Sequence, residues 1–232
     1  MPKSKIHAPA WGDEPLRIPA TAPLERRGVV ARPYPPDVVG EDMPECFVPD
    51  LTFAEWIRDT FLAASGPLAI EDHAHLLDAR LGVLWTNAIN ERQMRHVLAT
   101  AEIPTIQAGG WSRARWEYQL RQWFDVVPDF VLTFSAPDCL HMDDRAFCAL
   151  VDHELCHCAQ AEGEHGPKFN TRTGEPIYTI RGHDVEEFVD VVARWGATSP
   201  DVRRMVEAAN RRPSIDLAAI ARGCGTCLAR SA

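Results

Sequence analysis

The stretch Leu150-Val151-Asp152-His153-Glu154-Leu155-Cys156-His157 sets two histidines four residues apart, with a glutamate directly after the first. On a helix, side chains at i and i+4 lie one above the other. Both imidazoles can then reach one Zn²⁺ at about 2.0–2.1 Å each. Glu154 falls about 100° round the helix from His153. There it can contact a metal-bound water without ligating the metal. The wheel places Phe147, Val151, Leu155 and Cys158 on a core face, with His153, His157 and Leu150 at its edge and Glu154 between the two groups. The motif is therefore expected where a core-packed helix meets a cleft. The plainer alternative is a pair of surface histidines beside an ion-paired glutamate.

A catalytic zinc needs a third protein ligand and an open position. The downstream candidates are His165, His183, Asp184, Glu186 and Glu187. His165 lies eight residues after His157, in Glu-His-Gly-Pro-Lys-Phe. His183 and Asp184 open a second expected helix, preceded by Gly182. If that helix already includes both residues, the wheel favours Asp184. If His183 is the N-cap, the wheel does not apply to it, and imidazole is the better third partner for zinc. His183 is the preferred candidate, with the acidic residues and His165 as alternatives. Asp184 could equally be a helix cap, Glu186 and Glu187 a solvated face, and His165 a loop residue.

The segments PDFVLTF, AFCALVDHELCHC and GEPIYTIRGHDVEEF together resemble the putative phage metallopeptidase domain family. The resemblance covers roughly residues 75–195, and HELCH followed by GHDVEEF is its most specific part. It implies a minimal zincin-like α+β domain: a small mixed sheet, the HExxH active-site helix, and a second helix that brings the last ligand. It implies His153, His157 and His183 as zinc ligands and Glu154 as the catalytic acid/base. The segment from His165 to Phe169 resembles the third-ligand segment of SprT-like metallopeptidases, which keeps His165 in contention. The function implied is zinc-dependent hydrolysis of peptide bonds in a protein or peptide substrate, through a zinc-activated water with Glu154 as general base. Tyr178, Arg181 and His165 are candidates to stabilise the oxyanion. The competing reading is a non-catalytic, zinc-stabilised interaction module of phage or prophage origin. An intact Glu154 favours the enzyme, since a structural site has no need of it.

Other elements must position these residues. Thr52 and Glu55 fit a capping box for a helix with Phe53, Trp56, Ile57 and Phe61 on one face. A shorter helix is expected over 71–79 and a strand over 81–85. Alternation of Val97, Ala99, Ala101 and Ile103 predicts another strand, ended by Pro104. Ser112 can cap a helix carrying Trp116, Leu120, Trp123 and Phe124. Phe130 to Phe134 reads as a strand, either an edge able to pair with an extended peptide or an ordinary core strand. The motif helix is expected from Asp143 or Asp144 to about Ala161. A hairpin or extended loop over 168–180 follows, then a helix over 184–195 with Val185, Phe188, Val189, Val192 and Trp195 inward. Another begins at Ser199-Pro200 with Val202, Met205 and Val206 inward, and Ser214 opens a last short one.

The chain has 232 residues, long enough for a real core without staples. Residues 1–50 hold 10 of its 18 prolines and read as a largely extended or disordered arm, with 31–50 left open between disorder and packing. Residues 51–232 form the expected metallopeptidase domain with a C-terminal helical tail. A net charge of −9 argues against nucleic acid and anionic membrane surfaces as partners. No run of about 18 apolar residues is present, and the N-terminus has no apolar signal region. A cytoplasmic location is expected, in the host cell if the protein is phage-encoded. The seven cysteines are expected to be reduced, mostly small apolar residues. Cys224 and Cys227 have zinc-knuckle or redox spacing but supply only half a site. His73 and His75 have a spacing that could bind metal, but an isolated His-x-His at a polar helix start is expected on the surface. The Trp111, Trp116, Trp123 and Arg113, Arg115, Arg121 cluster is read as helix packing with solvated arginines rather than a nucleic-acid surface.

Overall fold

Strong period-two patterning in the middle of the chain builds a four-stranded sheet. The computed structural model describes residues 31–92, 95–185, 192, 195–197, 199–211 and 213–215. Its sheet contains β1 (Phe47–Pro49), β2 (Leu81–Thr86), β3 (Ala99–Glu102) and β4 (Phe130–Ser135), in the order β1-β2-β4-β3. β2 and β4 run parallel, while β1–β2 and β4–β3 are antiparallel. The sheet is mixed and the fold is α+β.

β4 is paired on both sides, so the option of a peptide-binding edge at Phe130–Phe134 is overturned: it is a core strand. Its alternation shows why. Phe130, Leu132 and Phe134 point into the main core, and Val131 points to the other face. β2 repeats this with Val83 and Trp85 on one side and Leu84 on the other. The second face is covered by α2 (Gly110–Phe124) through Leu120 and Phe124. Trp116 and Trp123 pack against that cluster, and Trp116 Nε1 donates to the Pro104 carbonyl, whereas Trp111 is exposed. Ser112 does not cap α2; Gly109 stands at the N-cap without a side-chain bond.

The main face carries α1 (Leu51–Ile57), which continues as a widened π turn over Arg58–Leu62. Phe53, Trp56, Ile57 and Phe61 are buried as expected. The cap is Asp50 rather than Thr52: Asp50 Oδ1 accepts from Phe53 N, and Thr52 Oγ1 donates to the same oxygen. Asp50 Oδ2 also accepts from Trp85 Nε1 at 2.9 Å, tying the helix start to β2. Phe53 stacks on Trp85 and lies against Phe134 and Phe147. Residues Glu71–Leu76 form a 3-10 turn, and α3 (Ala136–His141) follows β4.

The arm is partly built into this domain. β1 lies within residues 31–50 and extends the sheet. Arg32 is 5% exposed. It donates to Asp144 Oδ1 and to the Met142 carbonyl, both at 2.8 Å, and its guanidinium covers the Tyr34 and Phe147 rings. Residues 1–30 lie outside the described part.

α4 (Asp144–His157) is the motif helix, capped by Asp143, whose Oδ1 accepts from Arg145 N and Ala146 N. It stops at His157 rather than near Ala161. Cys158–Gln160 instead forms β5, antiparallel to β6 (Tyr178–Ile180). Helix α5 (Pro200–Ala209) buries Val202, but Met205 and Val206 are exposed, contrary to the inward stripe. Of the helix expected over 184–195, residues 186–191, 193 and 194 lie outside the described residues, as do the C-terminal helix and Cys224 and Cys227; Val192 and Trp195 are helical, and Trp195 is exposed.

Candidate metal centre

Local folding brings the histidines together in two steps. α4 presents His153 and His157 one turn apart, because its Phe147, Val151 and Leu155 stripe is fully buried against the sheet. The β5–β6 ladder then returns the chain to the same place. Cys158 pairs with Ile180, and the next step of the ladder is Arg181 N donating to the His157 carbonyl at 2.9 Å. Two residues later the chain delivers His183.

Nε2 of His153 lies 3.2 Å from Nε2 of His157 and 3.3 Å from Nε2 of His183. Four ligands held about 2.05 Å from a tetrahedral centre stand about 3.3 Å apart. The two separations from His153 therefore match edges of a zinc-sized tetrahedron, and the ligand atoms of all three histidines lie within 4.8 Å of one another. The rings meet at interplanar angles of 79°, 67° and 37°, so they converge by their edges instead of stacking. His157 Nδ1–H donates to the Arg181 carbonyl at 2.7 Å. That bond places the proton on Nδ1 and leaves the Nε2 lone pair facing the cluster. The His153 pKa is lowered to about 4, first by burial and then by the neighbouring His157 and His183. At neutral pH it is a neutral donor, the form a cation requires.

Exposure grades across the cluster. His157 is 2% exposed, His153 intermediate, and His183 open to solvent. Glu154, between the two helix histidines in sequence, is fully buried.

The other sequence candidates are placed differently. His165 is exposed at the tip of a small hairpin, Glu162–Gly163 with Gly166–Pro167, where Gly166 takes φ 103°. It is not among the clustered imidazoles. The Asp184 side chain is 61% exposed and faces Arg181 at 3.8 Å. Glu186 and Glu187 lie outside the described residues. Of the oxyanion candidates, Arg181 acts on His157 through its backbone. Tyr178 packs on Phe130, and burial raises its pKa. It lines a cleft of about 570 Å³ with Arg80, Pro104, Arg121 and Asp129, and none of the three histidines lines that cleft.

Two features were not anticipated. His73 is 1% exposed, not a surface residue. Its Nε2 bonds Asp152 Oδ1 at 2.8 Å, and His75 Nε2 donates to the Cys158 carbonyl at 2.8 Å. Together they clamp the 71–76 turn against the end of α4. The lone His-x-His spacing carries no signal for this, since the partners are some 80 residues away. The five described cysteines are free, as expected. Burial pushes the Cys139 and Cys148 thiols up to about 12 and Cys156 to about 11.

The model of the putative phage metallopeptidase family matches residues 54–210. The chain belongs to that family. The matched span takes in the sheet from β2 onward, most of α1, all of α4 and the three clustered histidines. Comparison with curated proteins and with solved structures returns no match. The family description implies a metal, and two clusters of metal-ligating side chains occur among the described residues. No helix among the described residues is long and apolar enough to cross a membrane.

Proposed function

We propose that this family member is a zincin-like, zinc-dependent peptidase that hydrolyses peptide bonds in a protein or peptide substrate. The observation that carries the reading is the convergence of three imidazoles, with Nε2 separations of 3.2 and 3.3 Å from His153, two of them on a helix turn that also holds a fully buried glutamate. His153, His157 and His183 would hold the cation through Nε2. The cation would supply Lewis acidity toward water and toward a carbonyl oxygen. The Glu154 carboxylate takes the proton from the attacking water and passes it to the leaving amine. The Arg181 carbonyl holds His157 in the tautomer whose Nε2 lone pair faces inward. The solvent-open side at His183 leaves room for the substrate. A cytoplasmic site of action, in the host if the chain is phage-borne, completes the proposal.

Glu154→Gln tests it. The change keeps size and hydrogen bonding but removes the base. Wild type and variant are incubated in parallel with a diverse peptide pool and read by mass spectrometry. Cleavages made by the wild type should fall by roughly 10²-fold or more in the variant, with zinc content unchanged. Equal cleavage by both would overturn Glu154 as the base. Equal loss of zinc and of fold in the variant would show a structural role instead.

A further inference from the structure

α4 carries a second i, i+4 pair, displaced by one residue from the first. Asp152 precedes His153 and Cys156 precedes His157, so this pair presents a carboxylate and a thiol on the adjoining strip of the helix. The buried His73 ring, on the 71–76 turn, meets that strip. His73 Nε2, an Asp152 oxygen and Cys156 Sγ all lie within 4.8 Å of one another. A bond between His73 and Asp152 alone would be an anchor between two elements. Cys156 on the same side makes it a pocket of three different donors.

We propose that His73, Asp152 and Cys156 form a second cation site, distinct from the three-histidine centre, for a zinc-class divalent ion. Nitrogen, oxygen and sulfur donors together select such borderline-soft ions over magnesium or calcium, which take oxygen ligands. The site is less preorganised than the first. His73 Nε2 and Asp152 Oδ1 are 2.8 Å apart, a hydrogen-bond distance, whereas ligands on a zinc-sized tetrahedron stand about 3.3 Å apart. Entry of the ion must part them by about 0.5 Å and displace the proton they share, and the Cys156 thiol must release its own. The three-histidine nitrogens already stand at 3.2 and 3.3 Å. The second ion therefore binds more weakly than the first. It also cross-links the 71–76 turn to α4, because His73 is the one donor from outside the helix.

The inference is independent of peptidase activity and is tested with Co²⁺ on the full metal-free chain, under a non-thiol reductant. Only a cysteine ligand gives the near-ultraviolet thiolate-to-cobalt charge-transfer band. The wild type should bind two equivalents, the weaker one bringing that band. Cys156→Ser, and separately His73→Gln, should lose the band and one equivalent while keeping the other. The double variant His153→Ala/His157→Ala should keep the band, so that failure of the first centre is distinguished from failure of the second. The double variant Cys224→Ser/Cys227→Ser should keep it too. A wild type that saturates without the band overturns the proposal. So does a band that survives Cys156→Ser, or one that vanishes with Cys224 and Cys227.

Discussion

Replacing His183 by alanine removes the one clustered imidazole that α4 does not supply. Structural zinc sites with four protein ligands bind with about 10–16 kcal/mol at neutral pH. Spread over four ligands, that is about 2.5–4 kcal/mol each, or about 10²–10³-fold in Kd. The position of His183 selects the lower end. Its ring is exposed, so water can take the vacated place without opening a buried void. His153 and His157 are held by a packed helix and keep their geometry. The expected loss for His183→Ala is therefore about 10²-fold in zinc affinity. His165→Ala, at an exposed hairpin tip outside the cluster, should change Kd by less than about 2-fold, and Asp184→Asn by less than about 3-fold. Competition against a chromophoric chelator at fixed pH measures all three, with circular dichroism confirming that each variant is folded. If His165→Ala loses the metal and His183→Ala keeps it, the assignment of His183 fails and the SprT-like arrangement replaces it.

Three further outcomes follow from the same geometry. His153 has a folded pKa of about 4 against an ordinary value of 6.5, so the unfolded chain takes up its proton first. Its contribution to the stability of metal-free protein is present above pH 6.5 and is lost as pH falls toward 4; urea midpoints should fall across that window, and less steeply in His153→Gln. Arg32→Ala removes two hydrogen bonds at 2.8 Å and the cover over Phe147. Because Asp144 remains largely solvated, the cost should be about 2–3 kcal/mol by urea unfolding, and a cost below about 0.5 kcal/mol would show that the arm is not bound there. A Cβ at Gly82 would meet the Phe124 ring at 2.8 Å. Gly82→Ala should therefore destabilise by about 1–3 kcal/mol, partly restored by Phe124→Leu; no restoration would place the strain elsewhere.

What the sequence showed and hid follows the range of the interactions involved. The motif helix was legible because its stripe repeats locally: Phe147, Val151 and Leu155 point the same way whatever lies beyond them. The core side of α1 and the alternation of β4 were legible for the same reason. The end of α4 was not. Residues 158–161 continue a tolerable helical pattern, and only pairing of Cys158 with Ile180 pulls them into a strand. The position of β4 inside the sheet depends on β2 and β3, which alternation within one strand does not reveal. Asp50 outcompetes Thr52 as cap because it also meets Trp85, a contact 35 residues away. His73 looked like a surface residue because its partner, Asp152, belongs to another element. The candidate ligands show the same division. His153 and His157 come from local periodicity, whereas the convergence of His183 with them depends on a ladder between distant segments.

That ladder separates two quantities that usually travel together, spacing along the chain and position in space. His183 is located by the register of Cys158 with Ile180 and by the bonds between Arg181 and His157. Between them, Ala161, Lys168 and Ile177 continue the backbone bonding, and the turn over 171–173 closes the circuit. Lengthening a loop costs little, about 0.6 kcal/mol for each doubling. The exposed turn over 171–173 is therefore the natural place to graft a tag or a recognition peptide. Adding a single residue between Tyr178 and Arg181 is another matter, because it would slip β6 on β5 and shift Arg181, and with it His183, away from His157.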